Sequence, residues 1–266
     1  STLFPYTTLF RSRDENEILD TKKLIVTGEL NNDDIRVLRY MSGRDEYGNL
    51  TVGSLEVLDM AKARIVSGGK DGYYYRGNWW RGVGDNYFGS DIFRECNSLK
   101  KVVLPTSLYN LESYAFTGCQ NLEEVVLPEG LTNVGYDSFR ECHKLSKINI
   151  PSSVTNIYGG AFYGCQSLKS IDLSTMTGVS TIPENMFGNT GLTSIVIPAN
   201  ITNIGNCAFS STPLKSVEFE SGSRLATISE GAFQSTQLQS ITIPASVTSI
   251  NNNAFNDCRS LSVVNY

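Results

Sequence analysis

The sequence predicts a mostly β solenoid in which short repeats stack behind a small β/α cap at the N-terminus. Three observations predict it: the chain repeats itself about every 23 residues, each repeat carries two short runs of alternating apolar residues, and a differently patterned segment precedes the repeats. A unit this short cannot bury its own apolar face, so stacking against neighbours supplies the core. We expect no fold in residues 1–12, the cap in 13–91 and about eight repeats in 92–266.

The first twelve residues, STLFPYTTLFRS, resemble the in-frame translation of a DNA-sequencing adapter and lie outside the repeat register. The alternative is a natural apolar N-terminal segment. The segment lacks the basic region, continuous apolar run and small-residue cleavage site of a signal peptide. We therefore expect Ser1–Ser12 to form no part of the fold, and its sequence carries no information about export.

The cap is predicted to contain a short strand over Leu24–Thr27 followed by a helix that ends at Met41. Asn31 or Asn32 can cap the N-terminus of that helix, and the acidic residues that follow suit its first turn. The apolar spacing of the later strands reappears over Leu55–Met60. The cap is therefore expected to form one or two atypical repeats that close the end of the solenoid.

An aromatic stretch interleaved with glycine lies in the last part of the cap, before the first regular repeat. One interpretation is a cover for the apolar end of the solenoid, because open edges must be protected. The other is a platform that stacks sugar rings or anchors a protein partner, since exposed Tyr and Trp are favoured at binding hot spots. The two interpretations can coexist. The candidate binding residues here are Tyr73, Tyr74, Tyr75, Trp79 and Trp80.

Each regular repeat contains one phenylalanine, and the pattern around it reads A-F-x-x-C-x-x-L-x-x-I-x-I-P-x-x-V-x-x-I. The I-x-I alternation is typical of a half-buried strand, because residues two apart face the same way. The proline ends strand pairing, since it has no N–H to donate. The shorter alternation after it is expected to return the chain along another side of the coil, with the phenylalanine filling the far corner. We number the repeats 1 to 8 by Phe93, Phe116, Phe139, Phe162, Phe187, Phe209, Phe233 and Phe255.

The corner after each phenylalanine has two versions. Five repeats read C-x-x-L, and the other three read T-x-L, so the substitution and a one-residue deletion occur together. We expect two alternative corner turns with different local hydrogen bonds. Two repeats also carry a two-residue insertion after the strand, around Thr175–Val179 and Ser221–Leu225. The corner residues are Cys96, Cys119, Cys142, Cys165, Thr190, Thr212, Thr236 and Cys258.

The corner cysteines are predicted to form a ladder of reduced, buried thiols. Stacked strands lie about 4.8 Å apart, which falls within the range of disulfide Cα separations, but side chains in a stack point in parallel. Threonine also serves at the same position, and free cysteine usually behaves as a small buried hydrophobe. A metal site needs converging ligands, which a linear ladder does not provide. Cys207 lies outside the ladder and is a candidate for exposure.

Composition and motifs exclude several function classes. The formal net charge is −5, without the basic run that phosphate binding needs, so nucleic acid is not an expected partner. There is no run of about 18 apolar residues, so no membrane-spanning helix is predicted. His143, the only histidine, stands where other repeats have generic polar residues and is predicted to lie on the surface. With no acid–base or nucleophile constellation, we expect neither enzymatic activity nor a cofactor.

The outward face of the strands provides the remaining candidate site. Lys101, Glu124 and Lys147 alternate in charge across neighbouring strands and are expected to stabilise the sheet through cross-strand pairs. A polar stripe of low charge follows in repeats 4 to 7. A broad surface of this kind suits a protein better than a small ligand, which prefers an apolar pocket. The candidate binding residues in this stripe are Ser170, Ser194, Ser216 and Ser240.

The period indicates leucine-rich repeats, which run from about 20 to 29 residues. Units such as AFTGCQNLEEVVLPEGLTNV and AFYGCQSLKSIDL resemble the BspA-like family of bacterial surface leucine-rich-repeat proteins over Ile92–Tyr266. LIVTGELNNDDIRVLRYM resembles part of that family's N-terminal cap. The resemblance implies a non-catalytic adhesin, secreted or at the cell surface, that binds an extracellular protein or glycan of a host or neighbouring cell. The alternative is a structural spacer in a larger surface protein. The chain stops at the end of a predicted strand, so we also expect the C-terminal cap to be missing.

Overall fold

The computed structural model describes residues 2–5, 19–69, 73–75, 78–80 and 82–266, and it confirms a mostly β solenoid with a helix near the N-terminus. The segment before the repeats contains β1 (Thr2–Pro5), β2 (Lys23–Leu30), α1 (Asn32–Met41), β3 (Val57–Ile65), β4 (Tyr73–Tyr75), β5 (Asn78–Trp80), β6 (Val83–Gly84) and β7 (Tyr87–Phe88). The repeats contain β8 (Lys101–Val103), β9 (Asn110–Leu111), β10 (Glu124–Val126), β11 (Asn133–Val134), β12 (Lys147–Ile148), β13 (Asn156–Ile157), β14 (Thr181–Ile182), β15 (Ser194–Ile197), β16 (Asn203–Ile204), β17 (Ser216–Phe219), β18 (Thr227–Ile228), β19 (Ser240–Thr242), β20 (Ser249–Ile250) and β21 (Val263–Asn265).

The repeat strands stack in parallel along two sides of the coil. The front side contains the sheet β1-β2-β3-β8-β10-β12 and the pairs β15-β17 and β19-β21. The back side contains the short strands, in the orders β13-β11-β9-β7-β6 and β14-β16-β18-β20. The register places equivalent residues of neighbouring repeats opposite one another. Glu124, for example, lies opposite Lys101 of the preceding repeat and Lys147 of the following one. Both predicted alternations therefore form strands, on different sides of the coil.

Helix α1 begins as the polar residues around it predict. The N-cap is Asn31, whose side chain accepts a hydrogen bond from the Asp33 N–H at 2.9 Å, while the Asn31 N–H donates to Asp34 Oδ2 at 2.8 Å. Asn32 is instead the first helical residue, and its Oδ1 accepts from the Val83 N–H at 2.6 Å. Because these bonds satisfy backbone donors that the helix leaves free, they fix where α1 starts.

A buried arginine joins the cap to the first repeat. Arg39 is almost fully buried, and its Nη1 donates to the carbonyl oxygens of Asp91 and Ile92 at 3.0 and 2.8 Å. The same helix buries an apolar stripe against the strands, formed by Ile35, Leu38 and Met41. The cap and the repeats consequently share one continuous core.

The structure departs at Thr2–Pro5 from the expectation that Ser1–Ser12 forms no part of the fold. These four residues form β1, which pairs in parallel with β2 so that Leu3 lies opposite Ile25. The physical reason is the edge of β2, whose unpaired N–H and C=O groups can accept an added extended strand. Residues 6–12 lie outside the described part of the chain.

The front side is interrupted at repeat 4, where the consensus predicts a strand over residues 170–173 and the structure has none. The Asp172 carboxylate accepts a hydrogen bond from the Ser174 N–H at 2.8 Å. In the repeat before, Asn149 Oδ1 accepts from the Leu127 N–H at 3.4 Å. Short polar side chains thus compete with strand pairing in the interrupted repeat and in the repeat before it.

The corner phenylalanines form one column through the core. Neighbouring rings have centroids 5.4–5.7 Å apart and are nearly parallel, with interplanar angles of 3–15°. All are fully buried except Phe255 in repeat 8, which is half-buried. The predicted role of phenylalanine as the residue that fills the corner is confirmed.

Candidate functional site

The two predicted corner turns are confirmed, and they differ in which repeat the side chain bonds. The thiol of Cys119 donates to the Phe93 carbonyl of the preceding repeat at 3.0 Å. The thiols of Cys142, Cys165 and Cys258 likewise donate to the phenylalanine carbonyl of the repeat before their own. The hydroxyl of Thr190 donates instead to the Phe187 carbonyl of its own repeat at 2.8 Å, as Thr212 does to Phe209. These cysteines therefore join neighbouring repeats, whereas Thr190 and Thr212 close a shorter turn within one repeat. Thr236 Oγ1 instead lies 3.2 Å from Cys258 Sγ of the next repeat.

All six cysteines are free thiols, as predicted for the ladder. Burial raises the pKa of Cys96 to about 11 and holds the pKa values of Cys119, Cys142 and Cys165 well above the ordinary value of a thiol. Because the thiolate is the reactive form, these residues are inert at neutral pH. Cys207 is half-buried, so its predicted exposure is partial.

His143 lies at a partly exposed corner, within hydrogen-bonding distance of Glu141. Its Nε2 lies 2.6 Å from Glu141 Oε2, and about a third of the imidazole is exposed. Within the described ranges, the structure contains no cluster of three His, Cys, Asp or Glu side chains that could hold a metal ion. This contact between two partly exposed side chains fits the surface position predicted for His143.

The outward face of the front side begins with charged residues. Lys101 Nζ lies 2.7 Å from Glu124 Oε1, which confirms the predicted cross-strand pair between repeats 1 and 2. Lys147 lies opposite Glu124 in the register and is exposed. This part of the face is therefore charged, and its neighbouring charges alternate in sign.

The predicted serine stripe lines a groove further along the same face. Ser194 and Ser216 lie opposite one another on β15 and β17, Ser240 begins β19, and Ser170 lies at the interruption in repeat 4. All four are exposed. Two adjoining depressions, of about 390 and 600 Å³, share Ser216 among their lining residues and run along the stripe. We call this surface the serine groove.

The serine groove offers hydrogen-bonding groups and exposed apolar area on a fixed backbone. Val196 is 46% exposed at its centre, beside the carboxylates of Glu218 and Glu220. Glu220 Oε2 accepts a hydrogen bond from the Ala199 N–H at 3.0 Å. Lys215 also lines the groove, directly before Ser216. Such a surface can recognise a partner through hydroxyl and charge contacts.

The structure brings the predicted aromatic residues together in a hairpin, apart from the serines. Strands β4 and β5 pair antiparallel, with Tyr73 opposite Trp80 and Tyr74 opposite Trp79. The hairpin precedes repeat 1, and the serine groove begins at repeat 4, so three repeats separate them along the stack. The two predicted sites are therefore distinct surfaces.

Sequence reasoning missed an exposed pair of tyrosines on the back side. The rings of Tyr136 and Tyr158 have centroids 4.9 Å apart with an interplanar angle of 41°, and both border a depression of about 390 Å³. The two residues precede different corner phenylalanines by three and four positions, so the repeat consensus does not align them. An exposed aromatic at a polar position in each of two neighbouring repeats was the available signal.

These features define a solenoid of parallel strands and stacked corner residues, the architecture of leucine-rich-repeat proteins. The BspA type Leucine rich repeat region matches over residues 86–212 and 180–266, with six copies, and together these ranges cover more than half of the chain. The chain therefore belongs to the BspA-type leucine-rich-repeat family. Membership indicates a protein-binding repeat module of a kind that is typically not an enzyme. No curated protein matches the sequence.

Solved structures of bacterial leucine-rich-repeat proteins have the same fold. A leucine-rich repeat protein from Bacteroides ovatus is 22% identical with a TM-score of 0.52, over 74% of this chain and 62% of that one. The leucine rich repeat protein of T. pallidum is 24% identical with a TM-score of 0.50, over 68% of this chain and 75% of that one. This chain thus spans less than two thirds of the Bacteroides ovatus protein.

Within the described ranges, no helix is both long enough and apolar enough to cross a bilayer.

Proposed function

We propose that this chain is a non-catalytic binding module of a secreted or surface-attached bacterial protein, and that it adheres to a protein of a host or neighbouring cell. The serine groove is the observation that supports this function best. It extends over four neighbouring repeats, and its hydroxyl groups, carboxylates and exposed Val196 are held by parallel strands. Membership of the BspA-type leucine-rich-repeat family also supports a protein-binding function.

The dimensions of the serine groove favour a macromolecule over a small ligand. The groove is open along its length and mixes polar and apolar groups, as the surfaces of non-obligate protein interfaces do. Small ligands prefer enclosed, mostly apolar pockets with a few polar groups. Rigid strands also lower the entropic cost of binding, because the interface is ordered before the partner arrives. The aromatic hairpin (Tyr73–Trp80) is proposed as a second contact surface for the same partner.

Matched arginine variants test the proposal. Immobilised fibronectin, fibrinogen, laminin, collagen and mucin would be probed with the wild-type chain, with Ser194→Arg/Ser216→Arg, and with the control Ser107→Arg/Ser152→Arg. All four serines are exposed, but the control pair does not line the groove. Two large charged side chains in the groove should abolish binding to any protein that the wild type captures, whereas the control should keep it.

The second candidate is a structural spacer that projects another domain from the cell surface. The continuous column of phenylalanine rings favours it, since each repeat is locked to both neighbours along the axis. A spacer would bind no partner directly, so the groove variant would behave like the wild type. Removal of the solenoid from a larger surface protein would then reduce adhesion only because the attached domain is no longer projected. Equal binding by the groove variant and the control would therefore support the spacer over the proposed function.

A further inference from the structure

We propose that the depression beside Tyr136 and Tyr158 is a second site, which binds a neutral hexose unit of a glycan. The site, called the tyrosine groove below, lies on the back side of repeats 2 to 4, and the serine groove lies on the front side of repeats 4 to 7. The inference therefore goes beyond the proposed function and does not depend on it.

The two tyrosines provide a platform for a sugar ring. Tyr158 is 41% exposed and Tyr136 is 48% exposed, although each contacts the other ring. A phenol ring has an apolar face that can cover the C–H groups of a pyranose, and a hydroxyl that can bond its polar rim. Since each ring restricts the other, the platform loses little conformational entropy when a sugar stacks on it.

Polar side chains with fixed orientation surround the platform. The Nδ2 group of Asn156 donates to Asn133 Oδ1 at 2.8 Å and to Thr155 Oγ1 at 3.1 Å. Both amide hydrogens are thereby used, so the amide oxygen of Asn156 is the atom left to accept from a sugar hydroxyl. The exposed Glu184 carboxylate adds two further acceptor oxygens to the lining of the depression. Acceptors around an aromatic platform suit a ligand that is rich in hydroxyl donors.

The shape of the tyrosine groove results from the irregularity of repeat 4. The two-residue insertion around Thr175–Val179 supplies Gly178 and Val179 to the lining of the depression. A Cβ atom on Gly159 would lie 2.9 Å from the Glu184 Cγ, so glycine is needed to bring that carboxylate beside Tyr158. The depression, of about 390 Å³, is open to solvent like the serine groove, so it suits one unit of a glycan chain that extends along the surface and not an enclosed small molecule.

The charge of the tyrosine groove selects against anionic ligands. Glu184 is the ionisable acid among the described lining residues, and no Lys or Arg lines the depression. A sialylated, sulfated or phosphorylated sugar would therefore meet a like charge without a compensating cation. Neutral hexoses and N-acetylhexosamines avoid this cost, so they are the class of ligand that the site accepts.

Binding of defined oligosaccharides tests the proposal. Maltotriose, chitotriose and lactose would be titrated against the whole chain by saturation-transfer difference NMR, with 3′-sialyllactose as the anionic counterpart of lactose. We expect at least one neutral probe to bind. Tyr158→Ala should weaken it about tenfold or more, because the stacking surface is lost, and Glu184→Gln should reduce any preference for lactose over 3′-sialyllactose.

Tyr109→Ala is the matched control, because Tyr109 is 47% exposed in the neighbouring repeat 1 but does not line the depression. It should leave the affinity within about twofold of the wild type, a small energetic effect. Thermal unfolding would check that each variant is folded. Tyr158→Phe keeps the ring and should retain most of the binding, so it tests the platform even if Tyr158→Ala does not fold. Absence of binding by all three neutral probes, or equal binding by Tyr158→Ala and Tyr109→Ala, would overturn the proposal.

Discussion

Truncation of Phe162 tests the repeat register more directly than any other substitution. Its ring is fully buried between Phe139, at 5.6 Å, and Phe187, at 5.7 Å, with interplanar angles of 5° and 9°. Phe162→Ala removes the burial of one ring and leaves a cavity, which costs about 3–5 kcal/mol. It also removes two ring–ring contacts, each worth about 0.5–1.5 kcal/mol beyond the buried area, so we expect the upper part of that range.

Two comparisons show whether the loss comes from the phenylalanine column. Phe255 is half-buried in repeat 8 and stacks on Phe233 at 5.4 Å, so Phe255→Ala should cost roughly half as much. Ser170→Ala, on the outward face, should stay within about 0.5 kcal/mol of the wild type. The free energy of unfolding would be measured by urea titration monitored by circular dichroism.

The position of the damage is part of the same prediction. Repeat proteins are stabilised by units and nearest-neighbour interfaces, so the effect of Phe162→Ala should decay along the stack. Amide hydrogen exchange should increase most between Phe139 and Phe187 and much less around Phe255. If Phe162→Ala shifts unfolding no more than Ser170→Ala does, the ring is not buried and the register is wrong.

Three further predictions address the thiols, the cap and the first residues. Alkylation of the denatured, unreduced protein should modify all six cysteines, while the native protein should react first at the half-buried Cys207 and Cys258, since burial raises the pKa values of the inner thiols; a disulfide-linked peptide would contradict this. Burial raises the pKa of Asp34 from 3.8 to about 6 in the folded state, so its ionisation opposes folding: the associated stability is present below about pH 4 and is lost as pH rises through 6. Asp34→Asn should therefore be more stable than the wild type at pH 7, by about 1–3 kcal/mol, and this advantage should vanish below pH 4; a difference that does not vary with pH would exclude the mechanism. Deletion of residues 1–12 should lower the melting temperature only slightly, because it removes one four-residue strand, β1, from the edge of the sheet; a fall of several degrees would mean that side chains of the segment also pack on the cap.

The sequence predicts those features that recur in every repeat. Phenylalanine spacing places the column, the I-x-I alternation places the front strands, and the co-occurrence of Thr190 with a one-residue deletion indicates a different corner turn. Each of these patterns is visible in the sequence because the eight repeats can be compared position by position. The helix cap at Asn31 was predictable for another reason, since a single side chain and its neighbours decide where the helix begins.

Features that occur once were not predictable in the same way. Asp172 fits the strand pattern, but its carboxylate bonds the Ser174 N–H at the place where the front side lacks a strand. Tyr136 and Tyr158 are 22 residues apart and occupy different offsets in their repeats, so only stacking brings their rings to 4.9 Å. The pairing of β1 with β2 likewise depends on an open sheet edge and not on a motif.

Both proposed binding surfaces lie where the repeat departs from its regular length. The interruption at residues 170–173 opens one end of the serine groove, and Gly222 and Ser223 from the second insertion line its other end. The first insertion supplies Gly178 and Val179 to the tyrosine groove. Equivalent residues of regular repeats lie opposite one another, so residues without an equivalent in the neighbouring repeats change the shape of the face locally. The column of phenylalanine rings continues unbroken through repeats 4 and 6, with centroid spacings of 5.7 and 5.4 Å on the sides next to repeats 5 and 7. Because the core absorbs these insertions without a break, the outer surface can change its shape while the stack remains intact.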